Sequence, residues 1–191
     1  PSKPNVMGTF SNRLNTMTEI LRLTYTPMLA KESRDMYAMM NDPVLKEELN
    51  IFVKPLGMLL GKLSENMSMF IKNTHWESHL AVAKWYYENR RYTQSLLVLR
   101  EAIITYNCEE TGCDPYDLDE REHIKNHLND NRKKSSDEIY RLWKKVINLR
   151  NSVGHAFMKQ KDDMSTPARI KGKIDGLIKE AYDILKGENW W

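Results

Sequence analysis

Ser135 to Met158 reads SSDEIYRLWKKVINLRNSVGHAFM, and this stretch predicts a long amphipathic helix. Ser135 and Glu138 are three residues apart in a capping-box pattern, in which each side chain satisfies a backbone N–H, so we expect the helix to begin at Ser135. Apolar residues then recur at spacings of three and four, namely Ile139, Leu142, Trp143, Val146, Leu149, Val153 and Phe157. The spacing predicts one buried helix face and one wet face.

Arg150, Asn151 and His155 lie near the end of this helix. Histidine titrates near neutral pH and can move a proton to or from a ribose hydroxyl, whereas arginine stays charged and binds a phosphate through two parallel hydrogen bonds. Asn151 can orient either side chain. Arg150 and His155 are five residues apart, about 140° around an ideal helix. Looser last turns at Gly154, or a second copy of the chain across a two-fold axis, would bring the set together.

The same residues also have a purely structural interpretation, because Arg and His near a helix end commonly interact with the helix dipole and with water. However, the pattern R-N-x-x-x-H of Arg150, Asn151 and His155 resembles the signature of the HEPN ribonuclease superfamily. In that signature Arg and His are the motif proper, and Asn is the usual residue at the next position. The resemblance implies a HEPN-like helical bundle that cleaves RNA.

The composition predicts a globular, all-α protein. A length of 191 residues with 41% hydrophobic and 29% charged side chains suits one domain, so we expect a single helical domain over residues 1–191. No strand–turn–strand pattern occurs. No apolar run approaches the ~20 residues that cross a bilayer, and the N-terminus lacks the order of a secretion signal, which predicts a cytoplasmic protein with no membrane partner.

The charge of the chain is only mildly basic, at +3, which by itself does not indicate a nucleic-acid partner. Basic residues nevertheless surround the motif helix, namely Arg132, Lys133, Lys134, Lys144, Lys145, Lys159 and Lys161. They form either a solvated helix face or a phosphate-binding surface. Within them Lys159, one turn beyond His155, and Lys144 are candidate RNA contacts.

Two apolar segments open the chain. Residues 9–40 are interrupted by Pro27, which fits one kinked helix or two shorter helices. Asp42 and Pro43 form a cap followed by a first-turn proline, which opens a second helical segment. Pro55 and Gly57 lie inside that segment, and we expect a kink there.

Residues 75–107 predict two antiparallel helices joined around residues 89–92. The pattern resembles a single tetratricopeptide-like hairpin, and because no second copy follows, we expect a core hairpin rather than a repeat array. His75 and His79 are four residues apart, but no carboxylate or third histidine follows at a spacing that suits a metal.

Residues 108–135 predict a polar insertion before the motif helix, with one short helix at residues 116–129. Cys108, Cys113, His123 and His127 approach a zinc pattern, but the central spacer is shorter than in the usual finger. The alternative is two reduced cysteines and two exposed histidines. We predict no metal at the catalytic site and keep zinc at these four residues as the weaker alternative.

A last helix is predicted after the motif helix. Ser165, Thr166 and Pro167 form another cap and first-turn proline, and an apolar stripe follows as far as Gly187. This helix should pack antiparallel to the motif helix and fix the position of His155.

Features outside the motif point to a more specific family within this superfamily. The opening Phe-Ser-Asn-Arg-Leu at residues 10–14, the kinked helices and the Ala-rich hairpin together resemble the C-terminal HEPN half of CRISPR-associated type III accessory ribonucleases. Proteins of that family usually carry an N-terminal Rossmann-like CARF sensor, which binds cyclic oligoadenylate and activates a dimeric nuclease. Residues 1–191 show no alternation of strands and helices that would form such a sensor. The resemblance therefore implies a sensor that preceded Pro1 or a separate partner.

These observations predict a metal-independent endoribonuclease that acts as a homodimer on single-stranded RNA in type III CRISPR antiviral defence, without a cofactor. In this hypothesis His155 transfers protons, Arg150 stabilises the charge of the scissile phosphate and Asn151 positions one of them, and the products carry a 2′,3′-cyclic phosphate. Two alternatives remain open. One is a HEPN toxin of a toxin–antitoxin or nucleotidyltransferase pair. The other is a non-catalytic helical adaptor in which Arg150 and His155 only cap and pack.

Overall fold

The computed structural model describes residues 6–130, 137–155 and 166–187. Within these ranges the chain forms nine α-helices and no strand, which confirms the prediction of an all-α protein. The chain divides into two compact units, Pro1–Asn73 and Thr74–Trp191. The single domain over residues 1–191 stays a prediction. No described helix combines the length and the apolar character needed to cross a bilayer.

Four helices form the first unit: α1 (Val6–Leu23), α2 (Leu29–Met40), α3 (Pro43–Phe52) and α4 (Lys54–Phe70). Helix α2 packs against both α1 and α4. A partly buried guanidinium, that of Arg13 in α1, lies 2.9 Å from Glu32 and 3.0 Å from Asp35 in α2. The buried apolar side chains of this unit are Phe10, Met17, Ile20, Leu29, Met36, Met40, Leu45, Leu49, Leu60, Met67 and Phe70.

Prolines separate the helices of the first unit. Pro27 lies in a short 3-10 helix, Thr26–Met28, so the segment predicted as one kinked helix or two forms two helices. The predicted kink at Pro55 is wrong, because α3 ends at Phe52 and Pro55 lies in the first turn of α4. A first-turn proline loses no helical hydrogen bond, since the N–H it lacks would have no partner within the helix.

Helix α6 is the central element of the second unit. This unit contains α5 (His75–Glu88), α6 (Tyr92–Thr111), α7 (Leu118–Asn129), α8 (Glu138–Gly154) and α9 (Pro167–Lys186). Helix α6 packs against the other four helices, and its buried apolar side chains face several directions: Leu96, Val98, Leu99, Ala102, Ile103, Ile104 and Cys108. The predicted hairpin is confirmed as α5 and α6, and the short helix of the insertion is confirmed as α7.

Side-chain caps define several helix starts. The predicted caps Asp42 and Thr166 are confirmed, since each accepts a hydrogen bond from a backbone N–H in the first turn. The predicted start of the motif helix at Ser135 is wrong. Helix α8 begins at Glu138 and is capped by Asp137, whose carboxylate accepts from the backbone N–H of Ile139 at 2.9 Å. Ser135 lies outside the described residues.

The buried face of α8 fixes its position in the second unit. Leu142, Trp143 and Val146 are buried as predicted, whereas Leu149 and Val153 are half-buried and Phe157 lies outside the described residues. The indole N–H of Trp143 donates to Asn129 of α7 at 2.9 Å. Helix α9 packs against α8, which confirms the predicted neighbour of the motif helix.

Candidate functional site

Arg150, Asn151 and His155 occupy the exposed C-terminal end of α8. Helix α8 continues to Gly154, and His155 is its C-cap residue, with a backbone N–H that donates to the carbonyl of Asn151 at 3.0 Å. The helix therefore stays hydrogen-bonded through its last turn, and Gly154 has no positive φ. The suggestion that Gly154 loosens these turns is not supported.

A small cavity brings the three motif residues together. Arg150, Asn151 and His155 all line it, although Arg150 and His155 are five residues apart. Its volume is about 210 Å³. The remaining lining residues are Val153 and Gly154 of α8 and Thr93, Leu96 and Leu97 of α6. Both helices belong to the second unit, so the packing of α8 against α6 creates the cavity.

The three lining residues from α6 were not predicted as site residues. Thr93, Leu96 and Leu97 follow the turn of the helical hairpin, and their pattern indicates only one face of an amphipathic helix. These residues lie beside the motif because α6 packs against α8, and no local pattern in the sequence predicts that contact.

The Arg150 guanidinium lacks a carboxylate partner among the described residues. Its Nη1 donates to Oδ1 of Asn151 at 3.2 Å, a contact that orients the guanidinium without neutralising it. By contrast, Arg100 and Arg121 both contact the carboxylate of Glu101. An unneutralised guanidinium at a cavity is suited to bind a phosphate.

The His155 imidazole is exposed and makes no hydrogen bond within residues 6–130, 137–155 and 166–187. No described residue occupies its two ring nitrogens, so both can contact a ligand. A histidine and an arginine at one cavity provide a group that transfers protons beside a group that binds a phosphate.

Of the two lysines predicted to contact RNA, Lys144 and Lys159, the structure describes only Lys144. Lys144 is exposed on α8 and makes no ion pair to a described residue. It precedes Asn151 by seven residues, so the two lie on one side of the helix. Lys159 lies outside the described residues.

The four residues of the zinc alternative do not form a metal-binding group in the described part of the chain. Cys108 is fully buried in α6, and burial raises the pKa of its thiol. His123 and His127 are exposed on α7, and the ring of His127 lies 5.7 Å from that of Tyr140. Cys108 and Cys113 are not joined in a disulfide.

The other histidine pair lies on α5. His75 is exposed, and its Nδ1 lies 3.6 Å from the carboxylate of Glu109. His79 is half-buried, and its Nδ1, which is fully buried, has no hydrogen-bond partner among the described residues. Burial, with His75 and Arg121 nearby, lowers the pKa of His79 to about 3, so its ring is neutral at physiological pH.

A comparison with curated proteins shows a similarity over most of the chain. The chain is 22% identical over 174 residues to the CRISPR-associated protein MJ1674 of Methanocaldococcus jannaschii. The aligned region covers 88% of this chain and 26% of that protein, so the chain spans about a quarter of its relative. No family model matches the chain. No solved structure matches it either.

Proposed function

We propose that the chain is a metal-independent endoribonuclease that cleaves single-stranded RNA at the cavity formed by α6 and α8. The observation that carries the proposal is the cavity itself, which is lined by both Arg150 and His155. Among the described residues the Arg150 guanidinium has no carboxylate partner and the His155 imidazole has no hydrogen bond. An exposed cationic group and a proton-transfer group are the two requirements for breaking a phosphodiester by attack of the neighbouring ribose hydroxyl.

The reaction follows from these groups. The imidazole of His155 removes the proton from the ribose 2′-hydroxyl, and the oxygen attacks the adjacent phosphorus. The bond from phosphorus to the 5′-oxygen breaks, that oxygen takes up a proton, and the products are a 2′,3′-cyclic phosphate and a 5′-hydroxyl. Arg150 stabilises the negative charge that develops on the phosphate oxygens, and Asn151 positions Arg150.

The proposal includes a homodimer. One imidazole must be neutral to accept the first proton, while a second group must be protonated to supply the leaving oxygen. A second copy of the chain across a two-fold axis supplies His155 again, and the two copies then hold complementary protonation states. The exposed end of α8 leaves the motif accessible to such a copy.

The biological setting in the proposal is type III CRISPR antiviral defence. The similarity to a CRISPR-associated protein supports this setting. The resemblance to sensor-linked HEPN ribonucleases adds a regulator that responds to cyclic oligoadenylate, either as a further domain or as a separate partner.

The test is cleavage of a fluorescent single-stranded RNA in EDTA by the wild type and by His155→Ala. His123→Ala is the matched control, because His123 is another exposed histidine of the second unit but lies on α7. We expect cleavage by the wild type and the control, no cleavage by His155→Ala, and the same dimer fraction for all three. The cyclic phosphate end is identified by mass spectrometry.

Two results would overturn the proposal. Cleavage that survives His155→Ala would remove this site from the reaction. Preserved biological function in an Arg150→Lys, His155→Gln double variant would favour the adaptor. Lysine cannot bind a phosphate through two parallel hydrogen bonds, and glutamine cannot transfer a proton.

A further inference from the structure

The cavity beside the motif has two chemically different walls. Arg150, Asn151 and His155 supply polar and charged groups from the end of α8. Leu97 of α6 and Val153 of α8 are both half-buried, and they add apolar surface. A ribonucleotide has the same division, with a charged phosphate at one end and the flat apolar faces of a base at the other.

Thr93 lines this cavity and carries a hydroxyl that could bind a ligand. It is exposed in the first turn of α6, and its side chain makes no hydrogen bond to any described residue. The other serine and threonine hydroxyls of α6 are used within the protein. Ser95 donates to the carbonyl of Ala83 at 2.7 Å, Thr111 donates to that of Asn107 at 2.7 Å, and Thr105 accepts from Arg121 at 3.4 Å. A hydroxyl that both donates and accepts is thus left for a ligand in the cavity.

The cavity volume limits the size of that ligand. About 210 Å³ is below the roughly 300–1,000 Å³ typical of pockets for drug-sized molecules. It suits a single base or a ribose with its phosphate, while the rest of an RNA strand stays on the surface.

We propose that the cavity is a subsite for the base of one nucleotide next to the scissile phosphate, in which Thr93 hydrogen-bonds the base and Leu97 and Val153 pack against it. The inference rests on the proposed ribonuclease function and adds a binding residue from α6 to the motif residues of α8. Thr93 acts in substrate binding, so its loss raises KM and leaves kcat nearly unchanged.

The experiment measures RNA binding separately from cleavage. Fluorescence anisotropy with a labelled single-stranded RNA is recorded for His155→Ala, to prevent cleavage, alone and combined with Thr93→Val or Thr93→Ser. Thr111→Val in the same background is the matched control, because Thr111 belongs to the same helix but lies at its other end. Circular dichroism verifies that each variant is folded.

We expect Thr93→Val to raise the Kd about five- to tenfold, the effect of one lost hydrogen bond, whereas Thr93→Ser and Thr111→Val stay within about twofold of the parent. In the active background, KM rises by the same factor for Thr93→Val. Equal Kd values for Thr93→Val and its parent would overturn the subsite while leaving the ribonuclease intact. Absence of both RNA binding and cleavage in the wild type would overturn the ribonuclease and the subsite together.

Discussion

The Arg150 guanidinium is oriented by its neighbour, since Nη1 donates to the side-chain oxygen of Asn151 at 3.2 Å. We predict that Asn151→Leu lowers kcat about tenfold, because a guanidinium that samples more orientations stabilises the charged phosphate less well. Steady-state cleavage of single-stranded RNA measures the change. Asn148→Leu is the control, since Asn148 is exposed on the same helix but does not line the cavity, and it should keep the wild-type rate. Equal losses in both variants would contradict a positioning role for Asn151.

Among the described residues, His79 links stability to pH through its lowered pKa. Its pKa is lowered from 6.5 to about 3 in the folded protein. Between these two values the unfolded chain binds a proton that the folded chain does not, so stability rises with pH across the window and falls on acidification. At pH 5 the difference amounts to about 2 kcal/mol relative to neutral pH.

Urea unfolding at pH 7 and pH 5 tests this prediction. We expect His79→Gln to lose about 2 kcal/mol less free energy of unfolding than the wild type over this interval, because glutamine does not titrate. His123→Gln should behave like the wild type, since His123 is exposed on α7. The same loss in all three proteins would show that other groups cause the acid sensitivity.

At the scale of the helices, the motif helix is held through Trp143. This side chain is 2% exposed, its indole N–H donates to Asn129 of α7 at 2.9 Å, and the guanidinium of Arg100 in α6 lies 5.7 Å from its ring. We predict that Asn129→Ala lowers the free energy of unfolding by about 1–2 kcal/mol, because the buried N–H loses its partner. Asn126→Ala on the same helix is the control, since that side chain is also exposed but makes no hydrogen bond to Trp143. Urea unfolding measures both variants, and equal stabilities would contradict the role of the hydrogen bond.

Helix starts show what a local pattern can and cannot predict. Asp42 and Thr166 were predicted correctly, because each cap is followed at once by a proline that fits the first turn. For the motif helix the prediction was wrong, because the cap is Asp137, two residues after the predicted Ser135. A proline inside an apolar segment is equally compatible with a kink and with a new helix, so the sequence did not distinguish them at Pro55.

At the scale of the whole molecule, the site combines one local segment with one distant segment. Arg150, Asn151 and His155 are close in sequence, so their spacing was enough to suggest a common site. Thr93 and Leu97 come from the far side of the insertion, and only the packing of α6 against α8 brings them to the same cavity. The grouping of three residues from one helix could therefore be predicted from the sequence, whereas the other walls of the cavity required the tertiary structure.

The proposed dimer makes a quantitative prediction about mixed subunits. If one catalytic site requires His155 from both copies, only dimers of two wild-type chains are active. Refolding equal amounts of wild type and His155→Ala together should then leave about one quarter of the wild-type activity, because random pairing makes about a quarter of the dimers fully wild type. A mixture with His123→Ala should keep full activity, since that histidine lies on α7 and does not line the cavity. Residual activity of about one half would mean that each subunit cleaves RNA independently, and it would contradict a site shared between two copies.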